Sequence, residues 1–99
     1  RTTQTAEFEV RAPWLIDWRV NSEYEESMGL AIVLLNEPSQ THAGTVMKTK
    51  RRGNGLRMME QSGRFSLKVD AVLANWTIKI IQLTPEEAEA YTPKEKSLL

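Results

Sequence analysis

The most concentrated chemistry in the sequence is a group of five cations between positions 48 and 57. The group comprises Lys48, Lys50, Arg51, Arg52 and Arg57, with no acidic residue among them. The chain has 13 basic and 13 acidic residues, so the rest of it carries 8 against 13, a charge of −5. Such a patch can neutralise phosphates, an acidic polysaccharide or an anionic lipid surface. The sequence favours a solvated ribbon that resists edge-to-edge aggregation, and the alternative is an anionic-partner site formed by the five cations.

A turn signal next to the cations predicts how they are presented. Asn54-Gly55 between two strand-like segments is typical of a two-residue β-hairpin turn, because both turn residues must accept positive φ. The five cations would then project on one basic hairpin. No aromatic residue interleaves with them, and single-stranded nucleic acids need stacking platforms. Because the net charge is also zero, nucleic acid is a disfavoured partner, which leaves an anionic polymer or an unknown protein.

Three tryptophans are the next candidates, since flat aromatic rings can stack on sugars. Trp18 and Trp76 each alternate in step with aliphatic residues of their own segment, which predicts that both lie in the core. Trp14 follows Pro13 near the start of a strand-like segment. We therefore take Trp14 as the candidate for an exposed aromatic surface.

Catalytic and metal chemistry find little support in the sequence. There is no cysteine and one histidine, His42, in a segment that reads as a loop, so thiolate and multi-histidine metal sites are excluded. Asp17, Asp70 and the acidic stretch 23–26 have no spacing that pairs them as an acid and a base, and the stretch lacks the pattern of a calcium loop. The sequence predicts no catalytic residue, no metal and no cofactor.

Alternation with period two dominates the chain and indicates β-strands. The eight uncharged apolar residues 28–35 favour a central strand covered on both sides. Gly, Asn and Pro separate the segments, and these features together predict an all-β fold, an antiparallel β-sandwich of about seven strands. The last two strands read as a hairpin. The residues expected to be best buried are Phe65, Leu67, Val69, Trp76, Ile78 and Ile80.

The strand-like alternation of apolar and polar residues gives way to a helix-start signal at position 84. Thr84, Pro85 and Glu87 have the spacing of a capping box with proline in the first helical turn. We therefore expect a β-sandwich domain over residues 1–83 and a short capped helix with a frayed C-terminal tail over residues 84–99. The helix is predicted from Pro85 to Tyr91, with Pro93 ending it.

Three blocks carry a resemblance to a known group of proteins. They are an aromatic block over residues 8–19, the apolar block 29–35 and a closing block over residues 63–80 with Gly63, Phe65 and Trp76. Together they resemble small β-sandwich domains of secreted or envelope bacterial proteins of uncharacterised function. The resemblance implies a β-sandwich in an extracytoplasmic setting and offers no catalytic motif.

The function expected from these patterns is a non-enzymatic extracytoplasmic binding or assembly module that engages an anionic partner through the basic hairpin. The alternatives are a structural accessory domain of a larger envelope protein and, third, a small hydrolase. The longest apolar run has eight residues, and a membrane-spanning helix needs about 20, so we expect no transmembrane segment. Because the chain begins with Arg1, we expect a processed or trimmed product.

Overall fold

The structure is a computed structural model that describes residues 1–91, which form eight strands and one helix. Most of the strands alternate apolar and polar residues, and the helix follows the capping signal. The elements are β1 Thr2–Gln4, β2 Phe8–Val10, β3 Trp14–Asn21, β4 Gly29–Asn36, β5 His42–Thr49, β6 Gly53–Met59, β7 Gly63–Val72, β8 Asn75–Gln82 and α1 Pro85–Tyr91. The helix in this part of the chain is too short to cross a membrane.

Two antiparallel sheets pack face to face, as the sequence predicts. The larger sheet has the order β1-β7-β4-β5, with β2 also paired to β7, and the smaller sheet has the order β6-β3-β8. The apolar strand β4 lies between β7 and β5. Its inward residues Leu30, Ile32 and Leu34 are at most 3% exposed, while Ala31 and Val33 on its other face are half-buried. The strand that was not predicted, β1, is exposed throughout, so it has no apolar alternation to reveal it.

Both predicted hairpins are wrong, because the chain changes sheets at those points. β5 pairs with β4 in the larger sheet, whereas β6 pairs with β3 in the smaller one. β7 and β8 likewise belong to different sheets. Asn54 and Gly55 lie inside β6, opposite Arg19 and Trp18. Glycine is needed at this position for packing and not for a turn, because a Cβ on Gly55 would lie 2.6 Å from Trp18 Cζ2.

The core lies between the sheets and is deepest along β7, β4 and the start of β3. Phe65, Leu67 and Val69 are at most 3% exposed, as expected. The other half of the expected set, Trp76, Ile78 and Ile80 of β8, is only half-buried. β8 is an edge strand of the narrow sheet, so one of its sides has no neighbouring strand among residues 1–91. Alternation alone predicts which face a residue is on and not how much of that face is covered.

Trp14 is fully buried, so its predicted exposed position is wrong. Its side chain is 0% exposed, and its ring stacks on Phe65 at 5.8 Å and meets the edge of Phe8 at 5.7 Å. The indole Nε1 donates a hydrogen bond of 2.8 Å to the carbonyl of Gln61. The proline before it does not expose it, because β2 and β7 bring two phenylalanines over the start of β3. Trp18 was predicted to lie in the core. It packs against the core but is only half-buried.

The C-terminal helix begins with the predicted capping box. The Thr84 amide donates to Glu87 Oε1 at 2.9 Å, and the Glu87 amide donates to Thr84 Oγ1 at 3.1 Å. Before the helix, Leu83 packs with Leu15 on the outer face of the smaller sheet, and Met58 and Ile81 complete this second apolar cluster. The predicted frayed tail at residues 94–99 lies outside the described residues.

A polar cluster closes one end of the larger sheet around the buried Ser66, which is 1% exposed. Ser66 Oγ donates to Glu37 Oε2 at 2.6 Å, and Gln40 donates to the same carboxylate. Gln4 Nε2 in turn donates to Gln40 Oε1 at 2.8 Å. The hydrogen bond from Ser66, followed by that from Gln40, lowers the pKa of Glu37 below its ordinary value of 4.5.

Replacing Ser66 with alanine is therefore expected to reduce stability in a pH-dependent way. A carboxyl group whose pKa is lowered in the folded state stabilises the fold above its unfolded pKa, and that stability is lost as pH falls through the folded pKa. The Tm of Ser66→Ala should lie below that of the wild type near neutral pH, and the gap should narrow below about pH 4.5. Thermal melts from about pH 7 to about pH 3 measure this.

Ser39→Ala is the matched control for this measurement. Ser39 is exposed and hydrogen-bonds Thr41 instead of Glu37. Its melting curve should follow the wild type at every pH. A gap between Ser66→Ala and the wild type that stays constant with pH would contradict the role of the Glu37 carboxylate.

Candidate functional site

The cations predicted from the sequence lie at one end of the sandwich, where the chain passes between the sheets. Lys48 is on β5, and residues 50–52, which we call the basic connection, link β5 to β6. All five predicted cations are exposed. They therefore lie on an inter-sheet connection and its flanking strands, and the predicted basic hairpin does not exist.

Two of the five cations already have partners in the fold. Arg57 Nη1 donates to the carbonyl of Val46 at 2.6 Å and to that of Thr45 at 3.2 Å. This contact joins β6 to β5 across the two sheets. Arg52 lies 3.4 Å from the carboxylate of Glu25. The structure thus assigns Arg57 to holding the sheets together, while Lys48, Lys50 and Arg51 are exposed and have no ion-pair partner among residues 1–91.

A shallow depression of about 430 Å³ lies beside the basic connection. Two arginines, three asparagines and a tryptophan are among the residues that line it, and its lining includes no acidic residue. These residues are Arg19, Asn21, Arg52, Asn54, Asn75 and Trp76. One predicted cation, Arg52, therefore belongs to a site whose other members were not predicted.

Strand register explains why these polar residues converge. Arg19 on β3 lies opposite Asn54 on β6 and opposite Thr77 on β8. Asn21, two residues further along β3, lies opposite Asn75. Since successive side chains of a strand alternate between faces, these residues share the outer face at one end of the smaller sheet. The three strands together place Arg19 on the central strand, with Asn54 on one neighbouring strand and Asn75 on the other.

The arrangement can bind a small oxyanion that is attached to a polar scaffold. Guanidinium groups match carboxylate and sulfate oxygens and can bond two of them at once. Asparagine amides offer both a donor and an acceptor, as hydroxyl groups require. The Arg52–Glu25 pair is about half exposed on both sides, and such pairs contribute little. Arg52 can therefore exchange Glu25 for a ligand at small cost.

A larger groove of about 600 Å³ lies at the opposite end of β8 and is lined by residues 9–13, Gln82, Leu83 and Pro85. The side chain of Gln82, which lines this groove, already forms hydrogen bonds within the fold. Gln82 accepts from the Arg11 amide at 2.8 Å and donates to the Arg11 carbonyl at 2.8 Å. These bonds fasten the segment before β3 to the end of β8, so we assign the groove a structural role.

The remaining catalytic and metal candidates do not come together. His42, expected in a loop, is the exposed first residue of β5. Asp17 lies on the outer face of the smaller sheet and Asp70 on that of the larger sheet, so the sandwich separates them. Among residues 1–91, no group of three acidic or histidine side chains could hold a metal ion.

Sequence reasoning missed Arg19, Asn21, Asn54 and Asn75. A partial signal was present, because Arg19 and Asn21 alternate with Trp18 and Val20 and so had to share the outer face of one strand. Their convergence with Asn54 and Asn75 depends on the register of β6 and β8 against β3. Asn54 was instead assigned to a hairpin turn, which concealed its place on the sheet.

The depression and the basic connection are therefore the site at which this fold concentrates cations and amides. The resemblance to domains of secreted or envelope bacterial proteins stays an expectation. Comparison of the chain with protein-family models, with curated proteins and with solved structures found no match.

Proposed function

We propose that this domain is a non-enzymatic binding module whose ligand is an acidic polysaccharide bearing carboxylate or sulfate groups. The observation that carries the proposal is the convergence of Arg19 and Arg52 with three asparagines in a depression lined by no acid. The arginines would bind the anionic groups, and the amides would bind hydroxyls. Such polymers coat cell surfaces, which agrees with the proposed extracytoplasmic setting.

The basic connection extends this site along a polymer. Lys50 and Arg51 are exposed next to Arg52, so they can contact further anionic groups of a chain that is seated in the depression. A polyanion is favoured over a bilayer because residues 50–52 carry no apolar side chain that could insert among lipids. It is favoured over single-stranded nucleic acid because no aromatic residue lies among the cations to stack on bases.

Binding is expected to weaken steeply as salt increases, because each neutralised anionic group releases counterions from the polymer. Isothermal titration with heparin and with polygalacturonate, at about 20 mM and at about 150 mM salt, measures this dependence. Neutral dextran of similar length is the control polymer and should not bind at either salt concentration. Duplex DNA and anionic vesicles, titrated in parallel, test the two other kinds of polyanion.

Arg19→Gln should weaken the binding of heparin or polygalacturonate by at least about tenfold at low salt, since a charge-assisted hydrogen bond contributes about 1.5–3 kcal/mol. Lys50→Ser/Arg51→Ser should lower both the affinity and the salt dependence, because fewer counterions are released. Both variants should keep the wild-type Tm within a degree or two, because exposed charges contribute little to stability.

Arg64→Gln is the matched control. Arg64 forms an exposed ion pair with Glu7 at 3.4 Å, as Arg52 does with Glu25, but it lies on the larger sheet. Its loss removes the same charge from the chain and should leave binding within about twofold of the wild type. If Arg64→Gln weakens binding as much as Arg19→Gln does, only net charge matters and the depression is not the site. If neither acidic polysaccharide binds at low salt, the alternative of a structural accessory domain replaces this proposal.

A further inference from the structure

Sheet edges expose backbone donors and acceptors that can pair with another chain, and proteins usually protect them. Both edges of the larger sheet carry such protection, and Arg57 ties the β6 edge of the smaller sheet to the β5 edge. β5 has two register shifts along its pairing with β4. The β1 and β2 edge is broken into two strands of three residues each.

The fourth edge, that of β8, lacks these features. β8 pairs with β3 over eight consecutive residues without a register shift, and Lys79 is its one charged residue. Within residues 1–91, no strand pairs with its other edge. Its inward side chains Trp76, Ile78 and Ile80 pack against the core and stay half-buried. A long, regular and partly apolar edge of this kind is a template for strand addition.

We propose that a second copy of this chain pairs with β8 through its own β8, in antiparallel orientation about a two-fold axis. The proposal is independent of the polysaccharide site. Such an interface uses the same surface on both copies, so the sequence of β8 must complement itself. The smaller sheet would continue through the axis as six strands, with the inward face of each copy on the same side.

Complementarity selects one register. The half-buried row must stay on one face, so the axis must pass through a residue and not between two residues. An axis at Lys79 would set the two lysines against each other, which is unfavourable. An axis at Thr77 would leave Ile80 opposite Ala74, beyond the end of the strand. An axis at Ile78 sets Trp76 opposite Ile80 and Lys79 opposite Thr77, with apolar pairs inside and no like charges facing.

The proposed interface would also add a charged neighbour to Thr77, which lies at the border of the depression. In the register centred on Ile78, Lys79 of the second copy lies beside Thr77. Each copy would therefore bring one additional cation to the other copy's outer face. Trp76 and Ile80, which are half-buried in the single chain, would gain cover from the second strand.

The test uses charge changes at Thr77, an exposed position on the outer face of β8. Thr77→Glu places a carboxylate opposite Lys79 of the other copy twice per dimer, and Thr77→Lys places an ammonium there. Cross-strand charge pairs contribute about 0.2–1 kcal/mol each, so dimerisation should tighten about fivefold in Thr77→Glu and weaken about fivefold in Thr77→Lys. Sedimentation velocity of the ligand-free chain over a concentration series up to about 1 mM measures both dissociation constants.

Asn54→Glu and Asn54→Lys are matched controls. Asn54 lies opposite Arg19 on one side, as Thr77 does on the other, so the charge acquires the same neighbour within the chain. It lies on β6, the opposite edge of the same sheet. These variants should dimerise with the affinity of the wild type. Equal shifts in the Asn54 and Thr77 variants would overturn the proposal, since the effect would then be one of net charge.

Cysteine cross-linking determines the register. The chain has no cysteine, and paired residues of antiparallel strands lie at a distance that a disulfide can bridge. Ile78→Cys should give a covalent dimer on mild oxidation, whereas Thr77→Cys and Lys79→Cys should form no covalent dimer. A wild-type chain that is monomeric at every concentration would overturn the proposal. So would full protection of the β8 amides from hydrogen exchange in a monomer, because another segment of the chain would then occupy the edge.

Discussion

Replacing Trp14 with alanine is expected to lower the free energy of unfolding by about 3–5 kcal/mol, the usual loss for removing a packed large aromatic side chain. Trp14 is 0% exposed, stacks on Phe65 at 5.8 Å and contacts Phe8 at 5.7 Å. The substitution leaves a cavity where three rings meet, and it leaves the Gln61 carbonyl without its indole donor. In a domain of this size, each kcal/mol lowers the Tm by about 4–8 °C. Thermal melts and urea titrations measure the loss.

Trp76→Ala is the matched control, because it removes the same side chain from a half-buried position on the edge strand β8. It should cost roughly half as much, since hydrophobic stabilisation scales with the apolar area withdrawn from water. Both measurements belong at low protein concentration, where the proposed pairing of β8 contributes nothing. If Trp76→Ala destabilises the chain more than Trp14→Ala does, the core is centred near β8 and not at the start of β3.

The two tryptophans show what sequence patterns can and cannot predict about burial. Both Trp14 and Trp76 lie on the inward face of their strands. Alternation predicted this for Trp76, whereas Trp14 was taken as exposed because of the proline before it. Alternation could not rank their burial, because coverage depends on which strands of the other sheet lie opposite. β2 and β7 bring Phe8 and Phe65 over Trp14, whereas Trp76 lies at the edge of the narrower sheet.

Local signals were reliable where the structure they specify is local. The capping box at Thr84 and Glu87 is formed as predicted, because both of its hydrogen bonds lie within four residues. The candidate site depends on long-range pairing instead. Arg19 and Asn54 are 35 positions apart and meet only because β6 pairs with β3. The cluster of cations was visible in the sequence. Its sequence did not show that Arg52 lines the depression, whereas Arg57 joins β6 to β5.

The Asn54-Gly55 pair is the clearest case in which a turn-like sequence is present for another reason. In a hairpin turn, glycine supplies positive φ, but here Gly55 lies within β6, directly opposite Trp18. Both residues share one face of the sheet, and the indole of Trp18 lies across the glycine. A Cβ built on Gly55 would lie 2.6 Å from Cζ2 and 2.8 Å from Cε2 of Trp18. Gly55 is therefore required for the packing of the tryptophan.

Gly55→Ala is accordingly expected to destabilise the domain by about 1–3 kcal/mol, the usual cost of an overpacked site. A hairpin-turn role would give a similar loss for this single variant, so the test is the same substitution in a Trp18→Ala background. With the indole removed, the added methyl group meets no ring, and alanine is favoured over glycine within a strand by about 0.5–1 kcal/mol. The sign of the effect should therefore reverse, giving a coupling free energy of at least about 1.5 kcal/mol in a double-mutant cycle, within the range for residues in direct contact.

Urea titrations of the four proteins measure the cycle. An equal loss from Gly55→Ala in both backgrounds would show that the backbone conformation, and not the tryptophan, requires glycine at this position.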